Sequence, residues 1–152
     1  MSKKLERIAE FTAGQADAGL SPNYAGYFYC FNQGLFFEAH EVLEALWLLD
    51  KKGPDGAFYK GLIQLAGAFV HVQKRRPGPA AALFRLAKAN LAPYPATHWR
   101  LDARETIGLI DSSLHTIESA TDPLLALAGL PAPKLELRPD PMPESSRSSA
   151  QN

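Results

Sequence analysis

The segment FNQGLFFEAHEVLEALW, residues 31–47, sets Glu38, His40, Glu41 and Glu44 among aromatic and aliphatic side chains. A carboxylate one helical turn from an imidazole can fix its tautomer, act with it as an acid–base pair, or join it in holding a metal ion. On a helix turning about 100° per residue, Phe36, Leu43 and Trp47 share a face with His40, and Glu44 borders them. His40 is therefore expected to point inward, with Glu41 and Glu38 trailing towards the flank and Glu38 nearest solvent. Further along, Lys60, Gln64, Gly67, Ala68 and His71 recur at helical spacing and share a second face. Gly61, Gly67 and Ala68 are small enough to admit another backbone or to leave room for a ligand.

Buried polar groups cost several kcal/mol unless they are paired. The two polar stripes are best explained if they face each other, so that His40, Glu44, Gln64 and His71 form a site between two helices. Three readings of that site stay open. One is a buried hydrogen-bond network that fixes helix register. Another is a metal site in which His40, Glu44 and His71 hold a divalent transition metal. The last is a polar pocket for a small ligand, bordered by Glu38, His40, Glu41, Glu44, Trp47, Gln64 and His71, or an acid–base pair with Glu41 or Glu44 as carboxylate and His40 as partner. The match of His40-Glu41-Val42-Leu43-Glu44 to the zinc-protease pattern H-E-x-x-H is weak, because Glu44 stands where that pattern has its second histidine. The di-iron pattern Glu-x-x-His is absent, since no histidine lies three residues after Glu38, Glu41 or Glu44. His98 falls in an aromatic loop expected to cover one end of the molecule, and His115 is read as a surface partner of Asp111.

The elements that must position these residues are marked by prolines, glycines and caps. Ser21-Pro22 opens a helix running to about Asn32, stopped by Gly34 in a left-handed turn. A second helix covers Leu35 to Asp50 and ends in KKGPDG. A third runs from Ala57 to Arg76, with Lys74-Arg75-Arg76 at the negative end of its dipole. Pro77-Gly78-Pro79 reads as a turn before a fourth helix, Ala80 to Leu91. Asp102 with Glu105 starts a fifth, whose stripe is Ile107, Ile110, Leu114 and Ile117. A short sixth is expected over Pro123 to Ala128. No segment alternates well enough to be read as a strand. The expected fold is all-α, a compact bundle of five to six antiparallel helices. It spans residues 22–129, after a partly ordered N-terminal segment, 1–21, and before a Pro- and Ser-rich tail, 130–152, read as an extended strap ending in disorder.

Lysine plus arginine and aspartate plus glutamate each number 16, so no global field points to nucleic acid or a membrane surface. The charges are unevenly placed, however. Lys51 to Arg100 carries nine cations against Asp55 alone, whereas residues 36–50 hold four acids and no Lys or Arg. Internal complementarity is the expected use of that asymmetry, ahead of an RNA-facing patch at 74–76 and 85–88. A single cysteine, Cys30, excludes an intramolecular disulfide and suits a reducing cytoplasm. The apolar run Gly61 to Val72 is too short to span a bilayer. A soluble, cytoplasmic protein is expected.

The run Phe31-Asn32-x-Gly34-x-Phe36-x-Glu38-Ala39-His40-Glu41-x-Leu43-Glu44-x-x-Trp47 resembles the signature of the family catalogued as domain of unknown function 309. Lys60-Gly61-Leu62-Ile63-Gln64-x-Ala66-x-Ala68-x-x-His71-x-Gln73 is similar to its second block. Pro79-Ala80-Ala81 with Leu83, Leu86, Ala87, Leu91 and Tyr94 is similar to its third. The resemblance covers roughly residues 27–118. It implies a small all-helical prokaryotic protein without an established activity, whose recurring polar positions fall on Glu38, His40, Glu41, Glu44, Gln64 and His71. Leu48 stands where the family is expected to have a basic residue, and Arg75-Arg76-Pro77 replaces a Gly-Asn-like turn. Two functional expectations follow: a polar site binding a small ligand or metal, as an enzyme or otherwise, or a non-enzymatic module that self-associates or binds a partner.

Overall fold

A computed structural model describes Glu6, Ala9 and residues 19–139. Most of the segment 1–21 and the tail beyond residue 139 therefore lie outside the described residues. Among the described residues, six helices follow one another: α1 (Pro22–Asn32), α2 (Phe36–Asp50), α3 (Gly56–Gln73), α4 (Pro77–Leu91), α5 (Ala103–Glu118) and α6 (Pro123–Ala128). Each of the first five packs chiefly on its neighbour in sequence. Short connections make the neighbours antiparallel, as contacts at both ends show. Phe36 stacks on Phe69 while Trp47 meets Lys60 across α2 and α3. Gly61 faces Leu91 while Gly67 faces Leu83 across α3 and α4.

Local chemistry explains the helix limits. Ser21 Oγ accepts from the Asn23 N–H at 3.1 Å and Pro22 takes the first helical position. At the far end of α1, Leu35 N–H donates to Cys30 O and Gly34 N–H to Phe31 O. Gly34 has φ +78°, which completes a Schellman stop. Helix α3 ends the same way, with Arg76 N–H on His71 O and Arg75 N–H on Val72 O, but here Arg75 occupies the left-handed position at φ 57°. This shortens α3 to Gln73, three residues earlier than its apolar pattern predicts. Helix α4 in turn begins at Pro77, three residues earlier than expected, because the N–H groups that Pro77 and Pro79 lack would have no intrahelical partner in a first turn.

The core is an aromatic spine. Tyr27, Phe31, Phe58 and Phe84 are fully buried, and Phe36 and Phe69 join them. The buried Tyr27 hydroxyl donates to Leu62 O at 2.6 Å, and burial pushes its pKa well above the usual phenol range. One element runs against expectation: Thr97–His98 and Leu101–Asp102 pair as a two-stranded antiparallel hairpin. Two-residue strands are too short to show alternation. Its turn residues, Trp99 and Arg100, both have positive φ (46° and 63°), the conformation of a type I′ turn, without glycine or asparagine to announce it. Tyr24 OH donates to Trp99 O and anchors the turn to α1.

Residues 130–139 cross the bundle as an extended strap. Asn32 holds the strap backbone with both side-chain atoms, donating to Leu135 O and accepting from its N–H, each at 2.8 Å. Arg138 reaches Asp102 at 2.6 Å. Asp102 also caps α5 by accepting from the Glu105 N–H at 2.9 Å. That backbone bond first, and the Arg138 guanidinium second, hold its carboxyl below the usual range. A depressed carboxylate contributes stability above its unfolded pKa, near 4, and loses it as pH falls through the folded value. Asp102→Asn keeps a capping side chain but not the charge. The variant is expected to show a shallower loss of stability below about pH 4 than the parent, read as urea midpoints at successive pH values. Parallel acid limbs would count against this assignment.

Candidate functional site

Helices α2, α3 and α4 enclose a cleft of about 340 Å³. Its polar lining is His40 from α2 with Lys60, Gln64 and His71 from α3. Phe37, Ile63, Val70 and Leu83 are its apolar lining, and Gly67 lines it too. The spacing 60, 64, 67, 71 thus places one α3 face along the cleft. Antiparallel packing brings His40 opposite it.

The polar residues are arranged differently from the mutual network read from the sequence. His40 lies at the rim, its side chain 32% exposed, with Nε2 3.3 Å from Glu44 Oε2 one turn later. Its ring stacks beside the exposed Phe37, with centroids 6.1 Å apart. Gln64 turns its oxygen to Asn90 of α4, accepting from Nδ2 at 2.7 Å. Nδ1 of His71 is buried and has no hydrogen-bond partner among the described residues. Burial of the ring, then Arg76 and Lys74, hold the His71 pKa below its ordinary value, so the imidazole is neutral at pH 7.

The other candidates lie around the cleft. Glu44 backs His40 without lining the cavity. Trp47 receives the Lys60 ammonium 4.4 Å from its ring centroid and Lys51 at 5.9 Å. Glu41 is 8% exposed, the most buried acid of α2, whereas its helical angle put it on the flank. Glu38 is half-buried and borders an adjoining hollow with Phe37, Val70 and Lys74. Among the described residues, no three His, Cys, Asp or Glu side chains gather as a metal-ligand group. The set His40, Glu44 and His71 therefore reduces to one histidine–glutamate pair and a separate histidine.

A second polar cluster closes the end of the bundle. Asp55 meets His98 Nε2 at 2.7 Å and accepts from Trp99 Nε1 at 3.0 Å. Phe58 and Tyr94 pack edge-on and tilted against the His98 ring. His98 is thus part of the aromatic cap read from the sequence, tied down by an aspartate hidden in the breaker KKGPDG. The basic segment pairs with α5: Arg85 with Glu118 at 2.6 Å and Lys88 with Asp111 at 2.8 Å. Asp111 therefore serves Lys88, not His115. No helix among the described residues is long and apolar enough to cross a membrane.

Sequence reading missed Phe37, Ile63, Val70 and Leu83 as cleft walls, because apolar residues at these positions look like ordinary core. Asn90 was missed because its role depends on the α3–α4 register.

Residues 24–83, which run through α1, α2, α3 and the first half of α4, match the family described as "Domain of unknown function (DUF309)". An "Uncharacterized protein" of Aquifex aeolicus (strain VF5) is 30% identical over 97 residues, which are 64% of this chain and 29% of the relative. The chain thus spans less than a third of that relative's length. No solved structure matches.

Proposed function

We propose that this chain is a small-molecule-binding module and that the α2–α3–α4 cleft is its site. One observation carries the reading. Polar side chains at helical spacing on α3, with His40 from α2, line a single concavity together with apolar side chains. Ligand sites are typically clefts of roughly 300–1,000 Å³ with a few polar groups set in an apolar lining. A closed network would have joined His40, Gln64 and His71 to one another; instead Gln64 pairs with Asn90 and the three line one cavity. The His40–Glu44 pair supplies an acid–base group at the rim.

The test blocks the cleft from inside the helix. A Cβ at Gly67 would meet only Leu83 Cδ1, at 3.2 Å, so Gly67→Leu grows into the cavity. Gain in helix propensity of about 1 kcal/mol offsets the crowding, so the fold is retained. In saturation-transfer NMR against a mixed fragment set, the parent is expected to retain hits that Gly67→Leu loses. An identical hit list for both proteins would remove the cleft as the site.

A further inference from the structure

The atoms along the cleft wall select the class of molecule it can hold, an inference that rests on the cleft being a ligand site. Among the described residues, no carboxylate lines the cavity. Lys60 brings a full positive charge; among the described residues its ammonium meets no carboxylate, only the Trp47 ring face. That contact orients the cation without neutralising it. With its oxygen engaged by Asn90, Gln64 has its amide N–H groups left to present. His71 adds a neutral ring whose Nδ1 is buried without a partner among the described residues. A buried N–H without an acceptor is the costlier arrangement, so the proton belongs on Nε2, making the rest of that ring a donor as well. Among Lys60, Gln64 and His71 donors therefore outnumber acceptors, and Ile63, Val70 and Leu83 line the same cavity.

We propose that the cleft binds a small monocarboxylic acid with an apolar body. Its carboxylate accepts from the Lys60 ammonium and the Gln64 amide, and its hydrocarbon part lies against Ile63, Val70 and Leu83. Lys60 is the one Lys or Arg that lines the cleft among the described residues, which suits one negative charge; a second would be desolvated without a counter-charge.

Three probes share one apolar body and differ at the head group: 3-phenylpropionate, 3-phenylpropan-1-ol and 3-phenylpropylamine. Each is titrated into the full chain and into Lys60→Met, following the backbone amides of Gln64, Gly67 and His71 by NMR. The acid is expected to bind at least about tenfold more tightly than the alcohol, with the amine weakest. Lys60→Met should lower the affinity for the acid by about tenfold or more while leaving that for the alcohol unchanged. Unchanged spectra away from the cleft show that the variant is folded. If the alcohol or amine binds as well as the acid at these amides, the acid class is overturned and the cleft stands as a binding site. If none of the three shifts these amides at millimolar concentration, the acid proposal fails. The ligand reading fails with it unless a fragment of another class still maps to the cleft.

Discussion

Phe31→Ala is expected to lower stability by about 3–5 kcal/mol, a large share of the roughly 5–15 kcal/mol typical of a folded domain. The Phe31 ring is fully buried at the meeting point of three helices. It stacks on Tyr27 of α1 at 5.7 Å and meets Phe36 of α2 and Phe69 of α3 edge-on, at 5.1 and 5.7 Å. Those partners are fixed by their own contacts: Phe36 and Phe69 stack on each other, and Phe69 meets Phe84 of α4. Because no single helix can move in to fill the space, most of the cavity should remain. Urea unfolding of the variant should show a lower midpoint with an unchanged slope. A loss below about 1 kcal/mol would mean that the aromatic spine repacks freely, contrary to the interlocked geometry.

Gly61→Val should cost about 3 kcal/mol, the upper end for overpacking. A Cβ at Gly61 would lie 2.9 Å from Leu91 Cγ and 3.2 Å from the backbone oxygen of Ala87. The branch carbon of a buried leucine and a helix carbonyl cannot both give way, so α3 and α4 must separate. Along the same helix, Gly67 faces only the terminal methyl of Leu83 and opens on the cleft. Gly67→Ala should therefore be near neutral, since helix propensity favours alanine by about 1 kcal/mol. Thermal denaturation of the pair separates the two roles of small residues on α3: a tight seam at one end and a vacant space at the other. Equal losses at both positions would contradict this division.

Much of the architecture was legible because it rests on local chemistry. Ser21-Pro22, Gly34, Asp102 and the sixth-helix start at Pro123 mark helix limits that the structure reproduces. Side-chain spacing alone placed Lys60, Gln64, Gly67 and His71 on one face. Where reading stopped short, the deciding contacts are long-range. The Trp99–Arg100 turn is held by Tyr24 and Asp55, far away in sequence, in place of the glycine or asparagine such turns favour. Arg75 adopts the left-handed conformation in the connection where the resemblance led one to expect a Gly-Asn-like turn. Gln64 was expected to pair with the histidines, yet Asn90 of α4 lies within reach and takes its oxygen. The expected match of the acidic α2 with the basic segment gave way to pairs between α4 and α5, because Arg85 and Lys88 lie on the α4 face that meets Asp111 and Glu118.

The position of the pocket is the central claim, and amide-resolved NMR of the full chain tests it most directly. Fragment hits are titrated into the parent and into Gly67→Leu, and the shifted amides are mapped. The expected result is saturable shifts clustered at Lys60, Gln64, Gly67 and His71 in the parent, absent from a Gly67→Leu variant that keeps its helical circular dichroism. Shifts that saturate elsewhere on the bundle, or that survive unchanged in Gly67→Leu, would contradict the claim that this cleft is the binding site.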